Sequence, residues 1–173
     1  MTMIKRLKED FFHRDVLEAA PELVGKILVR RLPDGTLLRE RIAETEAYRG
    51  EEDKGCHASK GRTKRTEILY GESGVIYVYL CYGMHWLMNV ITGEKDQPQG
   101  ILLRAGEVHD GPAKLTKYMG INGEINGQKI YQNDDIWIED DGLRPDIVTA
   151  PRVGIDYAGE YWKDVPWRFI AKE

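Results

Sequence analysis

Apolar positions change their spacing along the chain, and each change marks an element. Over residues 15–24, Val16, Leu17, Ala20, Leu23 and Val24 recur at helical intervals, interrupted by Pro21 and stopped by Gly25, which predicts a short, imperfect helix. Residues 27–32 and 36–48 read as strands joined by the Pro33-Asp34-Gly35 turn, a hairpin with a long second arm. A polar, glycine-containing stretch follows. β-Branched and aromatic residues return over 75–91 on either side of Tyr82-Gly83, predicting a second hairpin, and residues 101–105 add a strand. Pro112 just inside and Gly120 just beyond a run containing Ala113, Leu115, Tyr118 and Met119 predict a second helix. Residues 136–139, 151–155 and 167–171 are shorter strand candidates, and the Gly- and Asn-containing stretch 122–135 reads as surface loop. Strands grouped together, with helices at the chain start and after the sheet, predict an α+β fold on a mainly antiparallel sheet.

Composition narrows the setting. The 173 residues hold no internal repeat, low-complexity tract or linker, so residues 1–173 are expected to form one domain. No apolar run approaches the roughly 18 residues of a membrane-spanning helix. The charged opening residues 1–10 lead us to expect no secretory leader, and with only Cys56 and Cys81 a disulfide framework is not expected, so a reducing, cytoplasmic location is. A net charge of −4 argues against a protein that coats polyanions generically, but the charge is unevenly spread. Residues 1–105 carry 17 Lys and Arg against 16 Asp and Glu, whereas residues 106–173 carry 8 against 13. Any polyanion contact is therefore expected in the first part.

Candidate chemistry concentrates there. In the strand Arg41 to Tyr48, alternation puts Ile42, Glu44, Glu46 and Tyr48 on one face. Two carboxylates two residues apart lie ~7 Å apart along a strand, a spacing suited to water activation at a glycosidic carbon, although a solvated acidic strand face has the same pattern. The following loop turns from acidic to basic, and Lys60, Arg62, Lys64 and Arg65 are of a type to neutralise backbone phosphates or simply to solvate a loop. In the second hairpin Tyr77 and Tyr79 share a face, with Tyr77 expected in the core, and Tyr82 falls at the turn, where a bulky side chain can wedge into a base stack. Cys56-His57, Cys81 and His85 lack the spacing of a zinc site, so no metal is expected.

These segments together resemble the alkyladenine (3-methyladenine) DNA glycosylase family, monofunctional enzymes of base-excision repair. The resemblance runs in order from Phe11-Phe12 and Leu23-Val24-Gly25-Lys26 through Glu44-Thr45-Glu46-Ala47-Tyr48, Glu52-Asp53 to His57, Gly61-Arg62-Thr63 to Arg65, Tyr77-Val78-Tyr79 with Tyr82-Gly83-Met84, Asn89-Val90 and Leu102-Leu103-Arg104-Ala105. It continues through Gly111-Pro112-Ala113-Lys114-Leu115 and Pro151-Arg152-Val153-Gly154-Ile155 to Arg168-Phe169. The family pattern carries Asn where this chain has Thr66 after the basic loop. The resemblance implies a curved antiparallel sheet with a protruding, DNA-inserting hairpin and a few peripheral helices, acting as a monomer on double-stranded DNA without a cofactor. It further implies that Glu46 activates the attacking water and that Arg104 and the backbone around Val153 hold it. Tyr48, His57 and Tyr79 would wall the pocket for an extruded base, Asn89 would exclude normal guanine, and Tyr82 would fill the minor groove. A methylated purine is cationic and leaves readily, so one carboxylate, a water and an aromatic clamp are sufficient chemistry.

Two other readings remain open in the sequence. A nucleic-acid-binding module without catalysis would keep the basic loop and Tyr82 but has no use for Glu46 facing a polyanion. A nucleoside hydrolase would use the same bond chemistry and leave the basic loop and Tyr82 without a role.

Overall fold

The long second arm of the first hairpin becomes the strand around which the molecule is organised. The structure is a computed structural model and describes residues 3–172. β1 (Lys5–Arg6), β2 (Ile27–Arg31), β3 (Leu37–Arg49), β4 (Ile76–Cys81), β5 (His85–Ile91), β6 (Gln99–Gly106), β7 (Ile136–Asp140), β8 (Ile147–Ala150) and β9 (Arg168–Ala171) form one antiparallel sheet. Its order is β1-β7-β2-β3-β6-β5-β4, with β9 also pairing β3 and β8 pairing β9. The first part of β3 pairs β2 and the second pairs β6 and β9, so this 13-residue strand joins both parts of the sheet. The fold is α+β, as the grouping of strands and helices predicts.

Helix ends follow their sequence signals. In α2 (Val16–Leu23) the Asp15 carboxylate accepts the Leu17 N–H, and Gly25 at φ +96° turns the chain into β2. α3 (Pro112–Met119) begins at Pro112 and closes on Gly120 in the left-handed region at φ +62°. Both helices lay an apolar face on the sheet, α2 over β3 and α3 over β5 and β6. The core between them holds Phe12, Leu23, Ile42, Leu103, Leu115 and Met119, all at most 1% exposed. Two shorter helices, α1 (Glu9–Phe12) and α4 (Gly159–Asp164), complete the α-helices among the described residues, beside five single 3-10 turns.

The structure departs from the sequence pattern in three places. The strand expected over 151–155 lies earlier, at β8; in the later segment Pro151 has no N–H to give and the Val153 N–H is taken by the Glu46 carboxylate instead of a ladder. The stretch 122–135 is anchored by two single turns, Gly123–Ile125 and Ile130–Gln132, whose Ile125 and Ile130 are buried in the core, so it is not a mere surface loop. Strict alternation in β3 fails at Glu44, where the register against β6 shifts on either side. The bulge places Ile42 in the core together with Ala47, and Thr45 is buried with its hydroxyl donating to the Ala20 carbonyl. Ile42 therefore does not share a face with Glu46.

Candidate active site

Beyond the bulge, the end of β3 carries Glu46 and Tyr48 into a cavity of about 440 Å³. Burial makes Glu46 unusual: the residue is 1% exposed, and an unpaired carboxylate at that depth would be costly. It is held by directed donors instead. The Val153 N–H donates to Oε2 at 2.7 Å and the Tyr48 hydroxyl to Oε1 at 2.8 Å. Arg104, on β6, places its Nε 3.9 Å from Oε2. Burial raises the carboxyl pKa above its ordinary value, while the Val153 N–H, the Tyr48 hydroxyl and the cations Arg104 and Arg152 pull it back. A carboxylate in this state is a better proton acceptor than an exposed one. Glu44 takes no part: it pairs with Arg168 at 3.5 Å and lies outside the cavity lining, so the two-carboxylate arrangement reduces to one acid.

The walls are aromatic. Tyr77 and Tyr79 project from β4 on the side opposite Ile76 and Val78, which enter the core. His57 sits edge-on to Tyr79 with ring centroids 4.5 Å apart, and its Nδ1 shares a 2.9 Å hydrogen bond with the Tyr77 hydroxyl. Burial, together with Arg65 and Lys60, lowers the His57 pKa to about 4, so the ring is neutral at neutral pH. Between about pH 6.5 and 4 the unfolded chain protonates this ring and the folded one does not. His57 thus contributes stability that is present above pH 6.5 and lost as the pH falls towards 4. Replacing His57 with Gln should flatten the fall of the melting temperature across that window by the equivalent of up to about 3 kcal/mol; an unchanged slope would contradict the neutral ring. Asn89, on β5, is buried in the cavity wall with its amide donating to the Tyr77 carbonyl at 3.2 Å.

At the tip of the β4–β5 hairpin, Tyr82 has φ +53° and is 90% exposed. A non-glycine residue in the left-handed region is strained, and here the next residue, Gly83, also has positive φ. The turn presents the ring outward. The basic loop is more divided than its sequence. Arg62 is gripped by Glu67 and by Asp96, so its charge is already compensated, whereas Lys60 and Lys64 are exposed and Arg65 lines the cavity beneath the Tyr79 ring. Thr66, at the position where the resemblance departs, stitches this loop by donating to the Gly61 carbonyl and accepting the Thr63 N–H.

Periodicity missed several residues that the fold brings here. Tyr77 is buried as expected, yet its hydroxyl reaches the cavity wall. Tyr157 lines the cavity from the single 3-10 turn Asp156–Ala158, with its hydroxyl donating to the Gly55 carbonyl at 3.2 Å. Asp53 and Arg152 form a fully buried ion pair behind Tyr48. A pair 99 positions apart leaves no local signal. Cys56 and Cys81 are free, and burial raises the Cys56 thiol to about 12, which keeps it protonated. No helix among the described residues is long and apolar enough to cross a membrane.

The model of the methylpurine-DNA glycosylase family matches residues 10–111 and 108–173. Three curated relatives, each provisionally named 3-methyladenine DNA glycosylase, show the extent of the likeness. The protein of Methanocella arvoryzae is 42% identical over 188 residues, covering 96% of this chain and 92% of its own. That of Clostridium botulinum strain Alaska E43 is 42% identical with 96% of each chain covered. That of Anaeromyxobacter sp. strain Fw109-5 is 44% identical, covering 95% of this chain and 88% of its own.

Proposed function

Because this chain belongs to the methylpurine-DNA glycosylase family, we propose that it extrudes an alkylated or deaminated purine from duplex DNA into the cavity and hydrolyses the N-glycosidic bond with a water activated by Glu46. The protein is a DNA glycosylase of DNA repair, a hydrolase of N-glycosyl bonds. One observation carries the finer reading: a carboxylate 1% exposed, with raised proton affinity, at the wall of an aromatic cavity. Water attacks C1′, the bond to the base nitrogen breaks with its electron pair leaving on the base, and the water proton passes to Glu46; a cationic alkylpurine departs neutral in this way, whereas a deaminated purine also takes up a proton from solvent as it leaves. The products are a free base and an abasic site. Arg104 holds the water, and Val153 acts through the carboxylate that its N–H fixes.

The remaining residues handle the DNA. Tyr48, His57 and Tyr79 clamp the base, and a cationic alkylpurine gains most from their π-faces. A neutral His57 suits that cation. Asn89, in the cavity wall, excludes the exocyclic amine of normal guanine, a role in keeping with its burial beside Tyr77. Tyr82 enters the stack where the nucleotide was, and Lys60, Lys64 and Arg65, with Arg62 once its acidic partners yield, contact phosphates. The protein works as a monomer on double-stranded DNA in a reducing cytoplasm, as one domain and without cofactor or metal.

The test is product analysis on a duplex carrying 3-methyladenine: release of intact free base and an alkali-labile abasic site, with the strand unbroken before alkali, is expected. Equal activity on the free alkylated nucleoside, or binding without release, would instead support the hydrolase or the binding module. Tyr82→Ala should weaken affinity for the damaged duplex by ~1–3 kcal/mol, the worth of one stacked ring. Unchanged affinity and unchanged cleavage would remove the wedge. The double variant Lys60→Ala, Lys64→Ala should lower the slope of log affinity against log salt by about 2, and an unaltered slope would show that these side chains meet no phosphate.

A further inference from the structure

The Asp53–Arg152 pair costs more than it returns as a mere brace. Both side chains are 0% exposed, and a buried ion pair is commonly matched or bettered in stability by apolar residues of similar volume. Its placement is what distinguishes it. Arg152 donates from Nη1 to Asp53 Oδ2 at 2.7 Å and to the Ala47 carbonyl at 3.0 Å, the residue between Glu46 and Tyr48. From Nη2 it donates to Asp53 Oδ1 at 2.8 Å and to the Trp162 carbonyl at 3.2 Å, while Nε finds no acceptor among the described residues. Its guanidinium lies over the rings of Tyr48 and Trp167, at 4.8 and 5.2 Å from their centroids. Asp53 in turn accepts the Arg49 and Gly55 N–H groups, each at 2.9 Å, and so fixes the turn that leads into Cys56 and His57.

Three pocket walls therefore meet at one ion pair: the end of β3, the loop that carries His57, and the segment in which Val153 follows Arg152 directly. There is no room for slack. A Cβ on Gly55 would lie 2.9 Å from Arg152 Nη2. We propose that Asp53 and Arg152 are positioning residues for the catalytic carboxylate, holding the Val153 N–H and the Tyr48 hydroxyl on the two oxygens of Glu46. This rests on Glu46 being the base proposed above.

The groups facing Glu46 are the hydroxyls of Tyr48, Tyr79 and Tyr157 and the cations Arg104 and Arg152, with Asp53 behind the latter. Removing either member of the pair changes this field in opposite senses. Asp53→Asn leaves the Arg152 cation uncompensated, which favours the Glu46 carboxylate and moves the acid limb of the rate profile to lower pH. Arg152→Gln leaves the Asp53 anion uncompensated and moves that limb to higher pH. Both variants loosen the donors on Glu46, and a displacement of about 1 Å is worth ~100-fold in rate.

The experiment is single-turnover release of 3-methyladenine from duplex DNA across pH, with rates expressed per folded molecule from the circular dichroism of each sample. Wild type, Asp53→Asn, Arg152→Gln and Arg152→Lys are compared, the last retaining charge without the bidentate grip. The expected results are rates ~100-fold down in Asp53→Asn and Arg152→Gln, duplex affinity nearly unchanged, limbs displaced in opposite directions, and Arg152→Lys slowed with its limb near that of wild type. If Arg152→Gln does not fold, the rate loss and downward limb of Asp53→Asn decide alone. Rates per folded molecule within about twofold of wild type, well short of the ~100-fold expected of misplacement, or limbs that do not move, would assign the pair to stability only. A Glu46→Gln enzyme that retained activity would instead overturn the reading on which the proposal rests.

Discussion

Glu46→Gln is expected to slow single-turnover release of an alkylated purine by about 1000-fold, in the middle of the range for loss of a general base, while duplex affinity stays within the same order. The amide keeps the shape of the side chain and can still accept the 2.7 Å hydrogen bond from Val153. It cannot take a proton from water. Because Glu46 is 1% exposed and reaches no phosphate-contact surface, binding has little to lose from the change. Single-turnover rates with enzyme in excess, beside a gel-shift affinity, separate the two effects. A variant that bound tenfold more weakly and cleaved at the wild-type rate would invert this assignment.

Gly106→Ala is expected to be the most damaging small change outside the cavity. Gly106 closes β6, and a Cβ there would lie 1.6 Å from Glu40 Oε2 and 2.4 Å from Cδ. That carboxylate cannot swing aside freely. It accepts the N–H groups of His109 at 2.8 Å and Val108 at 3.3 Å and pairs with the His109 ring, which stacks on Tyr118 at 4.0 Å. Expelling it leaves these donors unmatched in a partly buried loop, at a cost of about 3 kcal/mol. For a domain of this size that corresponds to a melting temperature lower by ~6–12 °C. The same loop ends at Gly111 and Pro112, the latter in the cavity wall, so cleavage should also slow. A melting temperature unchanged within a degree or two would show that Glu40 has another position of equal energy.

The sequence signals that held are local ones. Asp15 and Gly25 mark the ends of α2, Pro112 and Gly120 those of α3, and Pro33-Asp34-Gly35 and Tyr82-Gly83 turn the two hairpins, because each acts through its own backbone and nearest neighbours. Alternation in β4 likewise separates Tyr77 and Tyr79 from Ile76 and Val78. What escaped is set by partners distant in the chain. The bulge at Glu44 sits where β3 changes partners from β2 to β6 and β9, putting Ile42 in the core and Glu44 with Arg168. Residues 151–155 have strand-like composition, but Pro151 lacks an N–H and the Val153 N–H goes to Glu46, 107 positions away, while the ladder forms one segment earlier. Likewise, the net balance of the basic loop did not reveal that Glu67 and Asp96 compensate Arg62.

If the ionised carboxylate of Glu46 performs the chemistry, the pH dependence of single-turnover base release follows its titration. Wild-type release of 3-methyladenine should fall on the acid side with a limb above the ordinary carboxylate value of 4.5, because burial raises the Glu46 carboxyl. Glu46→Gln should be slow at every pH and lack that limb. A variant that cleaves within tenfold of wild type, far from the roughly 1000-fold loss expected of an absent base, or that keeps the same acid limb, would mean that another group activates the water.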